Sequence, residues 1–377
     1  MKQFTYFFLL NCLMCYFSYA QITVGNFDFE EINRNYRVYL PTNYADFEKL
    51  PLVINMHGLG SNALEQQLYS SFNNVADTSN FMVVYPNGVD NTWNVGFGDP
   101  NVTTNDVGFI SALIDTLAAN YKVDLNRVYS TGMSMGGYMT YHLACALNDR
   151  IAAFASVTGM MARPLLDNCT PDSTIPILQI HGTNDPTVAY DGSFYATSVD
   201  EAMEFWANHN NCVGENIITE IPDTQDDAST VTKIEYTLCD EDVEVTLFRI
   251  NGGEHTWPGS PLNILGITNL DIHASEEVWK FFEKYTLDGT NVGVENTVLE
   301  QEKMTVSPNP FSDFIEIKNI KTPIQTIRLY DMFGKLCFET KKANAANNRL
   351  NTDFLAEGIY LLQIETEKGQ QTMKIVK

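Results

Sequence analysis

The sequence predicts an α/β fold, with a mostly parallel sheet covered by helices on both faces, followed by a small all-β sandwich. Three observations predict it. Short apolar runs alternate with helical patterns over residues 37–285. Two of those runs, Leu52-Val53-Ile54 and Phe81-Met82-Val83-Val84, are continuously apolar, as strands buried on both faces require. From Val306 onward helical spacing disappears and short alternating strands follow one another.

Taken in order, the chain begins with Lys2 and a mostly apolar run, Phe4 to Phe17, interrupted by Asn11. Ser18-Tyr19-Ala20 ends it with small-x-small spacing, the mark of a cleaved signal peptide over residues 1–20 with Gln21 as the first mature residue. The apolar run is short for a membrane span, and no other segment approaches that length, so no transmembrane segment is expected in the mature chain. Strands are expected at Arg37–Leu40, Leu52–Met56, Phe81–Tyr85, Val128–Thr131, Ala153–Val157, Ile177–Ile180 and Val245–Ile250. Helices are expected at Val107–Tyr121, Gly136–Asn148, Val199–Asn210 and Ala274–Tyr285. Together these make one domain over residues 21–286. Residues 287–305 are polar and aperiodic and read as a linker. Residues 306–377 form the β module.

The chain has 377 residues, with 23 Lys+Arg against 47 Asp+Glu. The imbalance is local: residues 21–300 hold 11 basic and 38 acidic residues, whereas residues 301–377 hold 11 and 9. A nucleic-acid partner is excluded, because phosphates must be met by Lys and Arg. A hydrophobic content of 44% excludes global disorder.

Seven cysteines are present. Cys12 and Cys15 leave with the leader. Export permits disulfides among the other five, but sequence alone gives no connectivity. Cys145 and Cys169 are neighbours in sequence, as are Cys212 and Cys239, with Cys337 left over. Free thiols are the alternative.

The sharpest chemical signal is Thr131-Gly132-Met133-Ser134-Met135-Gly136-Gly137, which contains G-x-S-x-G between an expected strand and an expected helix. That context makes it a nucleophile elbow, with Ser134 exposed on a tight turn at a helix N-terminus. Such a serine needs a base, and the base needs an orienting acid. His255 is the candidate base, because it sits in the Gly- and Pro-rich loop Asn251–Gly259 directly after a strand, with His273 in reserve. Asp185 is the candidate acid, projecting from the turn His181-Gly182-Thr183-Asn184-Asp185-Pro186, with Asp191 its nearest competitor. The oxyanion donors are expected to be the amides of Met135 and of Leu59, the latter in the loop His57–Ser61 after the strand ending at Met56. Trp93 and Trp257 are expected to wall a substrate pocket. No HExxH, CxxC or EF-hand pattern occurs, and the acidic stretches Asp223–Asp227 and Asp240–Asp242 read as solvated loops, so no metal or cofactor is expected.

These residues together resemble a known family. Arg127–Gly137, His57-Gly58, His181–Asp185, Gly252–Gly259, Asn105–Phe109 and Tyr121–Asp124 are similar to motifs of the secreted polyhydroxybutyrate depolymerase and feruloyl esterase-like proteins, over about residues 30–285. The resemblance implies an α/β-hydrolase fold and carboxylic-ester hydrolysis, with Ser134, Asp185 and His255 as nucleophile, acid and base. It also implies disulfides near Cys145–Cys169 and Cys212–Cys239. Asn105, Glu254 and His273 depart from the family pattern and leave the three catalytic positions intact. In the tail, Val306–Phe311, Leu329–Lys335, Leu355–Tyr360 and Lys374–Lys377 resemble the C-terminal sorting domain of the type nine secretion system. That implies the secretion machinery as a partner and a secreted or surface-attached enzyme, usually with loss of this domain. The expected substrate is an ester, polymeric in nature: a feruloyl or acetyl xylan ester or a hydroxyalkanoate polyester. Two rivals share the fold, a non-catalytic adhesin or glycan-binding module and a prolyl-peptidase-like hydrolase.

Overall fold

In a computed structural model, residues 21–97, 101–262, 266–289, 305–318, 323–331, 336–341, 349–366 and 369–377 are described. The expected signal peptide lies outside them, as does most of the expected linker. The chain divides into two compact units at Gly293/Val294, inside that linker.

The first unit is built on one ten-stranded sheet. Its strands are β1 (Gln21–Phe29), β2 (Ile32–Leu40), β3 (Leu50–Met56), β4 (Met82–Pro86), β5 (Val123–Met133), β6 (Ala153–Val157), β7 (Ile177–Gly182), β8 (Ile217–Ile221), β9 (Thr230–Tyr236) and β10 (Val245–Asn251). They lie in the order β1-β2-β4-β3-β5-β6-β7-β10-β9-β8. From β4 to β10 every neighbour is parallel. Antiparallel pairs extend the sheet on both sides: β1 and β2 beyond β4, and β9 and β8 beyond β10.

The expected alternation therefore holds for the central strands. The flanking β1, β8 and β9 are additions to it. The reason is burial: β8 is exposed along nearly its whole length and β1 at every second residue, so neither shows an apolar run.

Among the described residues seven α-helices flank the sheet: α1 (Ala63–Ser70), α2 (Phe72–Ser79), α3 (Asp106–Asn120), α4 (Met135–Ala146), α5 (Arg163–Leu166), α6 (Val199–His209) and α7 (Ala274–Phe282). Strand alternation sorts the core into two faces. Leu52, Ile54 and Val128 pack with Phe109 and Leu113 of α3, Met139 and Leu143 of α4 and Met203 and Trp206 of α6. Val53 and Tyr129 face the other way, against Phe72 and Val75 of α2 and Val278 and Phe282 of α7. The short α1 and α2 escape the sequence reading because they carry few apolar residues, and two left-handed residues, Ser71 and Asn80, end them.

Disulfides join Cys145 to Cys169 and Cys212 to Cys239. The first joins the end of α4 to the loop after α5, and the second joins the loop after α6 to the loop after β9. Both match the pairs implied above, and neither includes Cys337.

The second unit is all β: a three-stranded sheet, β11 (Thr305–Ser307), β12 (Phe314–Lys318) and β15 (Arg349–Asn351), and a four-stranded one, β14 (Leu336–Lys341), β13 (Ile324–Asp331), β16 (Ile359–Thr366) and β17 (Gly369–Val376). Ile315, Ile317 and Leu350 of the first sheet share a core with Ile327, Leu329, Leu362, Ile364 and Ile375 of the second. This is the expected small sandwich.

Candidate active site

The carboxyl ends of β3, β5, β7 and β10 converge on one cavity of about 1150 Å³, lined among others by Gly58, Leu59, Ser134, Met135 and His255. Ligands of open α/β sheets bind at this edge.

Ser134 sits between β5 and α4 with φ 54° and ψ −119°. L-residues avoid this conformation, and here the surroundings enforce it. The Ser134 N–H donates to Val157 O at 2.9 Å, and Tyr138 N–H donates to Ser134 O at 3.0 Å. The flanking glycines are required by close approach: a Cβ on Gly136 would lie 2.2 Å from Met56 O, and one on Gly132 would lie 2.5 Å from the Gly136 carbonyl carbon. The Ser134 hydroxyl has no hydrogen-bond partner among the described residues. The N–H of Met135 opens α4 and has no acceptor one turn earlier in the helix.

His255 and Asp185 are joined directly: His255 Nδ1 lies 2.7 Å from Asp185 Oδ2. Asp185 is buried, and its other oxygen accepts from the N–H groups of Thr187 and Val188, both at 2.8 Å. The carboxylate is thus held by its own turn while one oxygen stays directed at the imidazole. The reserve candidates are placed elsewhere. His273 occupies the position before α7, beside Gly259, with no side-chain hydrogen bond to the helix, and Asp191 does not line the cavity.

The loop after β3 is braced from beneath. His57 Nδ1–H donates to Gly58 O at 2.7 Å, and His57 Nε2 accepts from Gly88 N–H at 3.0 Å. Burial lowers the His57 pKa, which keeps the ring neutral and able to accept there. Because the peptide is planar and trans, drawing Gly58 O back toward the ring turns the Leu59 N–H the opposite way.

Trp93 and Trp257 differ from expectation. Trp93 is 1% exposed, packs tilted against His57 with ring centres 5.0 Å apart, and donates its indole N–H to His57 O at 2.9 Å. Trp257 is 0% exposed and donates its indole N–H to Ser275 Oγ at 3.1 Å. Neither lines the cavity. An indole needs a partner for its N–H, and in both cases that partner lies inward, so these residues brace the site without facing it. The aromatic wall is formed instead by Phe97, Tyr138 and Tyr195, with Phe97 edge-on to both tyrosines. Sequence offered no motif for these three.

A further support lies under the loop carrying Trp93. Asp106 Oδ2 accepts from Asn94 N–H and Thr104 Oγ1, and Asp106 Oδ1 accepts from Arg34 at 2.7 Å in a fully buried ion pair. Arg34 also stacks on Phe109, 3.6 Å from the ring centre. Asn105, the departure noted above, caps α3 by accepting from Gly108 N–H. Among the described residues no group of three or more His, Cys, Asp or Glu could hold a metal.

Comparison with known proteins adds the family. Residues 34–194 match the esterase PHB depolymerase model, and residues 305–377 match the secretion system C-terminal sorting domain. Residues 34–194, less than half of the chain, are thus similar to that esterase family. That match spans Ser134 and Asp185 and ends before His255. The esterase domain is similar to a bifunctional acetylxylan esterase/xylanase of Neocallimastix patriciarum, 28% identical over 273 residues, 71% of this chain and 36% of that protein. It is also similar to feruloyl esterase B of Piromyces equi, 30% identical over 58% of this chain and 42% of that protein. Feruloyl esterase D of Neurospora crassa is 26% identical over 67% of this chain and 82% of that protein. The chain thus spans less than half the length of the first two relatives. The sorting domain marks the chain for export, and no described helix is long and apolar enough to cross a membrane.

Proposed function

We propose that this protein is a carboxylic-ester hydrolase that works through an acyl-enzyme on Ser134. The observation that carries the reading is the meeting, in one cavity, of a strained serine at a strand-to-helix elbow and a histidine bonded to a buried aspartate. His255 takes the Ser134 proton as Oγ attacks the ester carbonyl carbon. Asp185 holds the imidazole through Nδ1 and stabilises its charged form. The amides of Met135 and Leu59 bind the developing oxyanion. The tetrahedral intermediate collapses, His255 protonates the leaving alcohol, and the acyl group stays on Ser134. Water then attacks the acyl-enzyme with His255 again as base, and free acid and serine are regenerated.

The substrate class we assign is an acyl ester of plant-wall xylan, feruloyl or acetyl. The relatives named above support it, and the wall of Phe97, Tyr138 and Tyr195 offers an aromatic acyl group ring contacts. The strong negative charge of residues 21–300 favours a neutral esterified polymer over an anionic one. The sorting domain supports the type nine secretion machinery as the export partner.

The test is a product assay with the full chain on feruloylated arabinoxylan, acetylated xylan and polyhydroxybutyrate, beside Ser134→Ala. Release of ferulate or acetate by the wild type, and loss of that release in Ser134→Ala, is expected. Release of hydroxybutyrate alone would overturn the substrate assignment. Equal rates in the two proteins would overturn the hydrolase.

A further inference from the structure

A second histidine lies against the candidate acid, and the mechanism above does not use it. His181, at the end of β7, is fully buried, and its Nε2 is 3.5 Å from Asp185 Oδ2. The same nitrogen is 2.8 Å from Val188 O. A carbonyl can only accept, so Nε2 carries the hydrogen.

The opposite nitrogen confirms that tautomer through an unbroken polar chain. Gln179 Nε2 lies 2.9 Å from His181 Nδ1 and 3.0 Å from Gly159 O. Tyr141 O–H donates to Gln179 Oε1 at 2.8 Å, so the amide oxygen is committed to accepting. The amide nitrogen then spends one hydrogen on Gly159 O and the other on Nδ1. Every member of this chain is buried and satisfied. Such networks define one arrangement, because any reversal would set two donors or two acceptors face to face. Burial lowers the His181 pKa and outweighs the opposing pull of the Val188 carbonyl and the Asp185 charge, so the ring stays neutral.

The position of this chain is informative. Tyr141 is on α4, behind Ser134. Gly159 follows β6, and a Cβ placed on it would lie 2.5 Å from Ser134 O. Val188 belongs to the turn that holds Asp185, since its N–H donates to Asp185 Oδ1 while its C=O accepts from His181. The nucleophile's helix and the acid's turn are therefore joined by a chain of defined polarity ending at His181.

We propose that His181 is a positioning residue for the reaction: its Nε2–H, oriented by Gln179, clamps the Asp185–Val188 turn and directs Asp185 Oδ2 at His255. This rests on the reading of Asp185 as the acid of an ester hydrolase. Three protein variants test it. His181→Leu removes the N–H at similar volume, His181→Gln restores an N–H near the Nε2 position, and Gln179→Met removes the donor that sets the tautomer.

With an ester substrate and the full chain, His181→Leu is expected to lose about 10- to 100-fold in kcat with KM within about twofold, because misdirecting a catalytic group costs rate more than binding. His181→Gln is expected to recover most of that loss. In an Asp185→Asn background, His181→Leu is expected to cost less than about twofold further, because the two residues act on one step. A purely structural histidine would lower thermal stability alike in both backgrounds and leave kcat of the folded protein unchanged. Unchanged kcat in folded His181→Leu, or a loss that is equal in both backgrounds, would overturn the proposal. If His181→Leu fails to fold, Gln179→Met decides: a loss of several-fold in kcat supports the clamp, and wild-type kcat overturns it. An inactive wild type would instead remove the ester-hydrolase reading itself, a distinct outcome.

Discussion

At the scale of residues, the site works by holding a few groups where they would not rest unaided. Ser134 is kept at positive φ by hydrogen bonds on both sides, and its hydroxyl has no partner among the described residues. Asp185 has one oxygen satisfied by two amides and the other given to His255. Asp185→Asn keeps the shape and removes the charge that selects the imidazole tautomer. We expect kcat to fall by about 10⁴ with KM little changed, read from steady-state ester hydrolysis. A loss under tenfold would reassign the acid. The elbow that carries Ser134 was legible in the sequence because it needs glycines at fixed offsets, and the turns that carry Asp185 and His255 because each follows an apolar strand. Trp93 and Trp257 were misread, since an indole beside a catalytic loop looks alike whether its ring faces the cavity or the core. The pairing of Gln179 with His181 gave no signal, because two polar residues inside an apolar strand announce no partner.

At the scale of elements, β5 and α4 meet β3 so closely that the elbow has no room for a side chain at Gly132 or Gly136. A Cβ on Gly136 would meet backbone, Met56 O at 2.2 Å, and backbone cannot swing aside as a long side chain can. Gly136→Ala is therefore expected to cost about 1–3 kcal/mol, seen as a lower urea midpoint with an unchanged slope, together with lower activity. A midpoint equal to that of the wild type would show that the elbow can relax. The central parallel strands were legible because burial on both faces leaves continuous apolar runs. The flanking β1, β8 and β9 were not: β1 and β8 are the two edges, which need little apolar surface, and β9 beside β8 interleaves polar and charged residues (Thr230, Thr232, Lys233, Glu235) with its apolar ones.

For the whole molecule, charge and protonation shape stability. Burial lowers the pKa of His57, His142, His181 and His273. The unfolded chain takes up these protons near pH 6.5, about the ordinary histidine value, while the folded chain resists. Unfolding therefore gains protons, and stability falls as pH drops through about 6.5 toward the lowered folded values. The urea midpoint is expected to be level between about pH 7.5 and 8.5 and clearly lower by about pH 5.5. A midpoint that rises on acidification would contradict the burial of these rings. The division into an acidic α/β region and a near-neutral β tail was legible from charge and periodicity, and the sorting-domain match begins at residue 305, where that pattern changes.

The central claim is that Ser134 becomes covalently acylated. It is tested most directly by treating the full chain with an activated phosphonate ester, which phosphonylates a serine nucleophile and releases its leaving group, and then mapping the adduct by mass spectrometry. The account predicts one adduct, on the peptide holding Ser134, with matching loss of ester hydrolysis, and none in Ser134→Ala. An adduct on another residue, or hydrolysis that survives full modification of Ser134, would contradict it.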